Sequence, residues 1–133
     1  MKENTDLVRG WLRKAQSDLV AMDTLLNAGS LDAAAFHAQQ AAEKYIKAFL
    51  LNADAEFPYT HNLERLVEIC RDVDPSFEEL ADVVESLTPY AVELRYDAEF
   101  WPSDEEVKDA RSRTLKVRDF VVRRLPSSIV EGG

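Results

Sequence analysis

The chain has 133 residues, of which 46% are hydrophobic and 31% charged, with four glycines, five prolines, one cysteine and a formal net charge of -9 at pH 7. That length and composition fit one globular domain and exclude extended disorder, while the single cysteine, Cys70, excludes an internal disulfide and suits the cytoplasm. The acidic balance excludes nucleic-acid binding by bulk electrostatics, and no apolar run reaches the roughly 18 residues of a membrane span, so neither membrane insertion nor export is expected.

In chain order, Val8, Trp11, Leu12, Ala15, Leu19, Met22 and Leu26 recur at helical spacing and predict a long amphipathic helix over residues 5–26, ending at the turn signal Asn27-Ala28-Gly29-Ser30. Residues 31–52 are rich in alanine (Ala33, Ala34, Ala35, Ala38, Ala41, Ala42, Ala48) and carry Phe36, Tyr45, Ile46, Phe49 and Leu50. This second helix is apolar over more than one face, which predicts neighbours on two sides, one of them a candidate dimer interface. After a loop containing Pro58, Thr60 is placed to cap a short helix carrying Leu63, Leu66, Val67 and Cys70. A fourth long helix is expected from Pro75 or Ser76 through Phe77, Leu80, Val84, Leu87, Ala91 and Leu94, bent or interrupted at Pro89. A second loop covers residues 97–102. Ser103 and Glu106 then predict a capping box for a last helix with the core stripe Val107, Ala110, Thr114, Val117, Val121 and Leu125, closed by Pro126. The expected fold is all-α: an antiparallel up-and-down bundle of four long helices plus one short one over residues 1–126, with residues 127–133 a frayed, disordered tail.

The last helix holds the only basic concentration, Lys108, Arg111, Arg113, Lys116, Arg118, Arg123 and Arg124, which reads first as a solvated face. On the second helix, Gln40, Glu43 and Lys47 fall at i, i+3 and i+7, and Gln40 and Lys44 at i, i+4, a polar stripe that must be satisfied where it is buried. Two histidines and one cysteine offer no convincing metal ligand set, and no cofactor is called for.

The run Ala38-Gln39-Gln40-Ala41-Ala42-Glu43-Lys44-Tyr45-Ile46-Lys47-Ala48, then Thr60-His61-Asn62-Leu63 and Leu94-Arg95-Tyr96, resembles the HEPN (higher eukaryotes and prokaryotes nucleotide-binding) family over nearly the whole chain. The resemblance implies a small helical bundle that forms a homodimer, often beside a minimal nucleotidyltransferase in a two-component, toxin–antitoxin type module. It also implies, for active members, a metal-independent ribonuclease whose motif is an arginine, an adjacent polar residue, and a histidine after four to six intervening residues. Here Arg95 matches the arginine and Tyr96 follows it, but the histidine positions hold Phe100, Trp101 and Pro102. Metal-free RNA cleavage needs a group that moves protons near neutral pH, and histidine, with an unperturbed pKa of about 6.5, is the usual one.

Gln40, Glu43, Lys44, Lys47, Arg95 and Tyr96 are accordingly the candidate ligand-binding residues. Two readings of the stripe stay open: it lines a pocket for phosphate and base, or Glu43 pairs with Lys47 or Arg95 to fix helix packing. His61, Asp97 and Glu99 are the candidate substitute bases, with a capping role the plainer reading of His61, and His37 reads as a packing or surface residue. Phe100 and Trp101 are either core lids or partner anchors. The leading expectation is a non-catalytic nucleotide- or RNA-binding and partner module. The rivals are a ribonuclease toxin using Arg95 with a displaced base, and a purely structural homodimer.

Overall fold

A computed structural model of the chain describes residues 2–92 and 97–131, and among these every regular element is helical. The first two elements are α1 (Lys2–Asn27) and α2 (Leu31–Asn52). Gly29 takes a φ of 82°, its N–H bonds to the Leu26 carbonyl at 3.1 Å and the Ser30 N–H to that of Leu25 at 2.9 Å. This left-handed C-terminal cap folds the chain back at the expected turn and makes α1 and α2 an antiparallel pair. A ten-residue loop over 53–62 leads to α3 (Leu63–Val73), then a 3-10 segment (Pro75–Leu80), α4 (Ala81–Glu85), a second 3-10 turn (Thr88–Ala91), α5 (Asp104–Val122) and α6 (Ser127–Glu131).

α2 is the centre of the bundle, with α1, α3, α5 and the Thr88–Ala91 turn all packed on it. Ala34, Ala35, Ala38, Ala41, Ala42 and Ala48 are completely buried, and their small side chains let α1 and α5 approach the α2 backbone. The Thr114 hydroxyl donates to the Ala38 carbonyl at 2.9 Å across the α2–α5 contact. The two expected neighbours of α2 thus lie within one chain. Six of the seven alanines read in this helix are covered there, and Ala33 is part-exposed.

The expected fourth helix is broken into Pro75–Leu80, α4 and Thr88–Ala91. Pro89 has no N–H, and in an α-helix its ring would meet the carbonyl four residues back, that of Glu85, where α4 stops. The hydrophobic pattern survives the break: Phe77, Leu80, Val84 and Leu87 are fully buried and Ala91 nearly so, while Leu94 lies outside the described residues. Phe77 is seated between Phe49 and Phe120, with ring centroids 4.4 Å and 4.9 Å away. It joins the broken segment to α2 and α5.

Two ends differ from expectation. The α3 cap is Asn62, whose side chain accepts from the Arg65 N–H at 3.0 Å, while the Thr60 hydroxyl accepts from the Asn62 N–H at 3.1 Å and shapes the turn before it. Residues 127–131 are helical rather than frayed. Ile129 is buried against Val8 and Ala48, and the Arg9 guanidinium donates to the Ser128 carbonyl at 2.7 Å, which fastens α6 to α1. The capping box of α5 is formed as expected, with Glu106 N–H to Ser103 Oγ at 3.1 Å and Ser103 N–H to Glu106 Oε1 at 2.9 Å.

Phe77→Ala removes the ring common to three elements, and urea unfolding is expected to show a loss of about 3–5 kcal/mol; a loss under about 1 kcal/mol contradicts this packing.

Candidate functional site

The polar stripe of α2 resolves into two clusters, each built on a buried carboxylate. In the first, Glu43 is 3% exposed and Lys47 3% exposed, one helical turn apart, with Lys47 Nζ donating to Glu43 Oε2 at 3.0 Å. Two charges removed from water at this depth are tolerated only when the remaining lone pairs are filled. Glu43 Oε1 accepts from His61 Nδ1 at 2.8 Å and from Gln39 Nε2 at 3.1 Å. Gln39, fully buried, also donates to the His61 carbonyl at 3.1 Å and accepts from Gln40 Nε2 at 2.7 Å. Among the described residues no buried side-chain nitrogen or oxygen lacks a partner.

In the second cluster Asp18 of α1, 7% exposed, accepts from Lys44 Nζ at 2.5 Å and from His37 Nδ1 at 2.8 Å. Lys44 therefore bonds across to α1 and not to Gln40, so the i, i+4 pair read on α2 does not form. Of the two readings left open for the stripe, the geometry contains the Glu43–Lys47 pair.

A carboxylate only accepts, so His61 carries a proton on Nδ1, and in the neutral tautomer with that proton Nε2 is an acceptor; the side chain is 37% exposed. The ring stands in the wall of a depression of about 420 Å³ lined by Tyr59, Thr60, His61, Asn62, Thr88 and Val92. Thr88, another lining residue, is held to the start of α3: its hydroxyl accepts from the Leu63 N–H at 3.1 Å and donates to Glu64 at 2.5 Å. Val92, another lining residue, is the last described residue before 93–96. Arg95 and Tyr96 lie outside the described residues.

The next loop separates the remaining candidates. Asp97 and Glu99 are exposed, with the Asp97 carboxylate accepting from the Glu99 N–H at 2.9 Å, so neither has the buried setting that the substitute-base reading asks of it. Phe100 is half-buried against the core, its ring 6.2 Å from that of Tyr90, and Pro102 is buried, whereas Trp101 is 69% exposed. Phe100 is thus the lid, and Trp101 alone is free to meet a partner.

The basic stripe of α5 is largely neutralised within the chain. Lys108 pairs with Asp104, Arg111 with Asp23, Arg113 with Asp109, Arg118 with Asp119, and Arg124 with Asp74. Cys70 is fully buried, and burial pushes its thiol up to about 12, far from a nucleophile's range. Among the described residues no group of three His, Cys, Asp or Glu side chains is placed to hold a metal.

Asp18, His37, Gln39, Tyr59 and Thr88 were not among the sequence candidates. Asp18 and Gln39 carried a signal: Asp18 falls between Ala15 and Met22 on the buried stripe of α1, and Gln39 stands between Ala35 and Glu43 on α2. Tyr59 and Thr88 carried none, since tertiary packing alone brings their loops together.

The HEPN domain family matches residues 8–125. The fold is similar to that of TT1696 from Thermus thermophilus, with 25% identity and a TM-score of 0.73 over 89% of this chain and 98% of that one. It is also similar to that of ST0689, described as an archaeal HEPN homologue, with 18% identity and a TM-score of 0.72 over 88% of this chain and 96% of that one. No curated protein matches the sequence significantly.

Glu43→Ala strands the buried Lys47 ammonium and is expected to destabilise by about 3–5 kcal/mol in urea unfolding, whereas Glu43→Leu combined with Lys47→Met should recover most of that loss. A near-neutral Glu43→Ala would show that the pair is not buried as described.

Proposed function

The chain belongs to the HEPN domain family, and from that premise we propose that it is a cytoplasmic nucleotide- or RNA-binding module that works without cleaving its ligand. The observation that carries this reading is what occupies the positions of the family's nuclease histidine. Phe100 is packed on Tyr90, Trp101 faces solvent and Pro102 is buried, so no proton-moving group stands there. An arginine such as Arg95 can grip phosphate through two parallel hydrogen bonds, but it cannot take the proton from a 2'-hydroxyl. The depression lined by Tyr59, His61 and Thr88 offers a phosphate-bearing ligand an aromatic side chain and an imidazole.

The homodimer and the nucleotidyltransferase partner of a two-component module belong to the same proposal. Trp101, large, apolar and exposed, is the anchor we assign to the protein contact.

A second reading is supported by one feature. The Glu43–His61 pair is a carboxylate holding an imidazole through Nδ1, the kind of pair that a general base uses, and His61 lines the depression. That reading makes the protein a metal-independent ribonuclease with His61 as the displaced base.

Purified protein incubated with RNA in the presence of chelator separates the two. The binding reading predicts no cleavage by wild type, and an affinity for RNA or nucleotide that Arg95→Ala lowers about tenfold or more. Chelator-resistant cleavage lost in both Arg95→Ala and His61→Ala would replace it with the ribonuclease reading.

A further inference from the structure

The arginines divide by what they bond to. Arg65, Arg71, Arg111, Arg113, Arg118 and Arg124 each pair with a carboxylate. Arg9 and Arg13, one turn apart on α1, do not. Arg9 donates from Nη2 to the Ser128 carbonyl at 2.7 Å and from Nε to that of Ile129 at 3.4 Å. Arg13 is exposed and has no hydrogen bond or ion pair among the described residues. Neutral carbonyls satisfy donors without cancelling charge, so both guanidinium charges stand uncompensated.

The two cations meet at a notch of about 130 Å³ between α1 and α6, lined by Arg9, Leu12, Arg13, Gln16, Ile129 and Val130. The lining holds three aliphatic side chains and no acid. Leu12 and Val130 are half-buried, so apolar surface remains open beside the charges. Asp6 and Glu131 lie close in sequence, but neither forms an ion pair among the described residues, and Asp6 lines a different depression with Leu7, Gly10 and Trp11. In a chain with 25 acidic and 16 basic residues this notch is a local reversal of sign.

We propose that the notch docks an acidic, amphipathic segment of a partner protein, with one side-chain carboxylate held by Arg13 and Arg9 and an adjacent aliphatic side chain laid on Leu12 and Val130. The planar guanidinium fork matches a carboxylate, and cations beside apolar surface select a segment that carries both kinds of side chain. A nucleic acid fits less well. No aromatic ring lines the notch to stack a base, and a phosphate at every nucleotide would continue onto a surface of net charge -9. The contact is independent of the nucleotide reading, since no residue of the notch lines the His61 depression, and it is a second protein contact besides Trp101. It also gives α6 a role. Ile129 and Val130 wall the notch only while α6 is docked, so partner binding and α6 docking stabilise each other.

The probe is a fluorescein-labelled dodecapeptide that alternates two leucines with two glutamates, blocked at both ends and followed by anisotropy; its counterpart carries glutamine for glutamate. Arg13→Glu tests the notch. Lys116→Glu, at an exposed lysine outside it with no ion pair among the described residues, makes the same change in net charge. The acidic peptide is expected to bind about tenfold or more tightly than the glutamine peptide, and Arg13→Glu to lose about tenfold or more. Lys116→Glu should lose less than about twofold, and peptide should slow hydrogen exchange at the Val130 amide. Arg13→Gln, which keeps a good helix former, should lose severalfold with unchanged circular dichroism. Equal losses in Arg13→Glu and Lys116→Glu would mean attraction by bulk charge and overturn the notch. Absence of binding, or equal binding of the two peptides, overturns it as well. Displacement of the peptide by an equal concentration of hexa-adenylate would make phosphate the ligand of these arginines and overturn the protein partner. Peptide binding lost in Arg95→Ala but kept in Arg13→Glu would move the contact to the Arg95 segment and contradict the proposal.

Discussion

The Glu43 carboxylate is the constraint on which the candidate site depends. It is buried on the central helix, and it accepts from His61, Gln39 and Lys47. Through His61 it holds the loop over residues 53–62 against α2, and through Lys47 it places a cation between Trp11 and Tyr59. A carboxylate this deep is stable only with all its donors in place, and networks of this kind act as a unit. The loop that carries Tyr59 and His61 is consequently part of the rigid framework, although it has no regular secondary structure of its own.

The sequence made the long helices legible because their apolar residues recur at the helical period and their ends carry local signals. Gly29 closed α1 and the Ser103–Glu106 box opened α5 where each was expected. The expected fourth helix failed on backbone chemistry, since Pro89 removes a donor and obstructs the Glu85 carbonyl while leaving the burial of Phe77, Leu80 and Val84 intact. The tail failed on tertiary contact: nothing local marks Ser127–Glu131 as ordered, and only the docking of Ile129 and the bonds from Arg9 make it so. The polar stripe was half legible. Glu43 and Lys47 pair along one helix, where spacing alone suffices, but the partners His61 and Asp18 come from other elements.

Charge explains how such an acidic protein can have a nucleic acid as its proposed ligand. Most of the cations on and just after α5 are tied to neighbouring acids, and the Asp18 and Glu43 carboxylates neutralise Lys44 and Lys47, so long-range attraction is small. Under the proposed reading, recognition relies on contact, through the His61 imidazole and Arg95, rather than on bulk charge.

The central claim is that Glu43 fixes the His61 imidazole with a proton on Nδ1. Nitrogen-15 NMR of the histidine side chains reads this directly. The account predicts that neutral His61 is the Nδ1–H tautomer in the wild type and that Glu43→Gln releases it to a mixture. A His61 that is mainly the Nε2–H tautomer, or one that Glu43→Gln leaves unchanged, would contradict the account at its foundation.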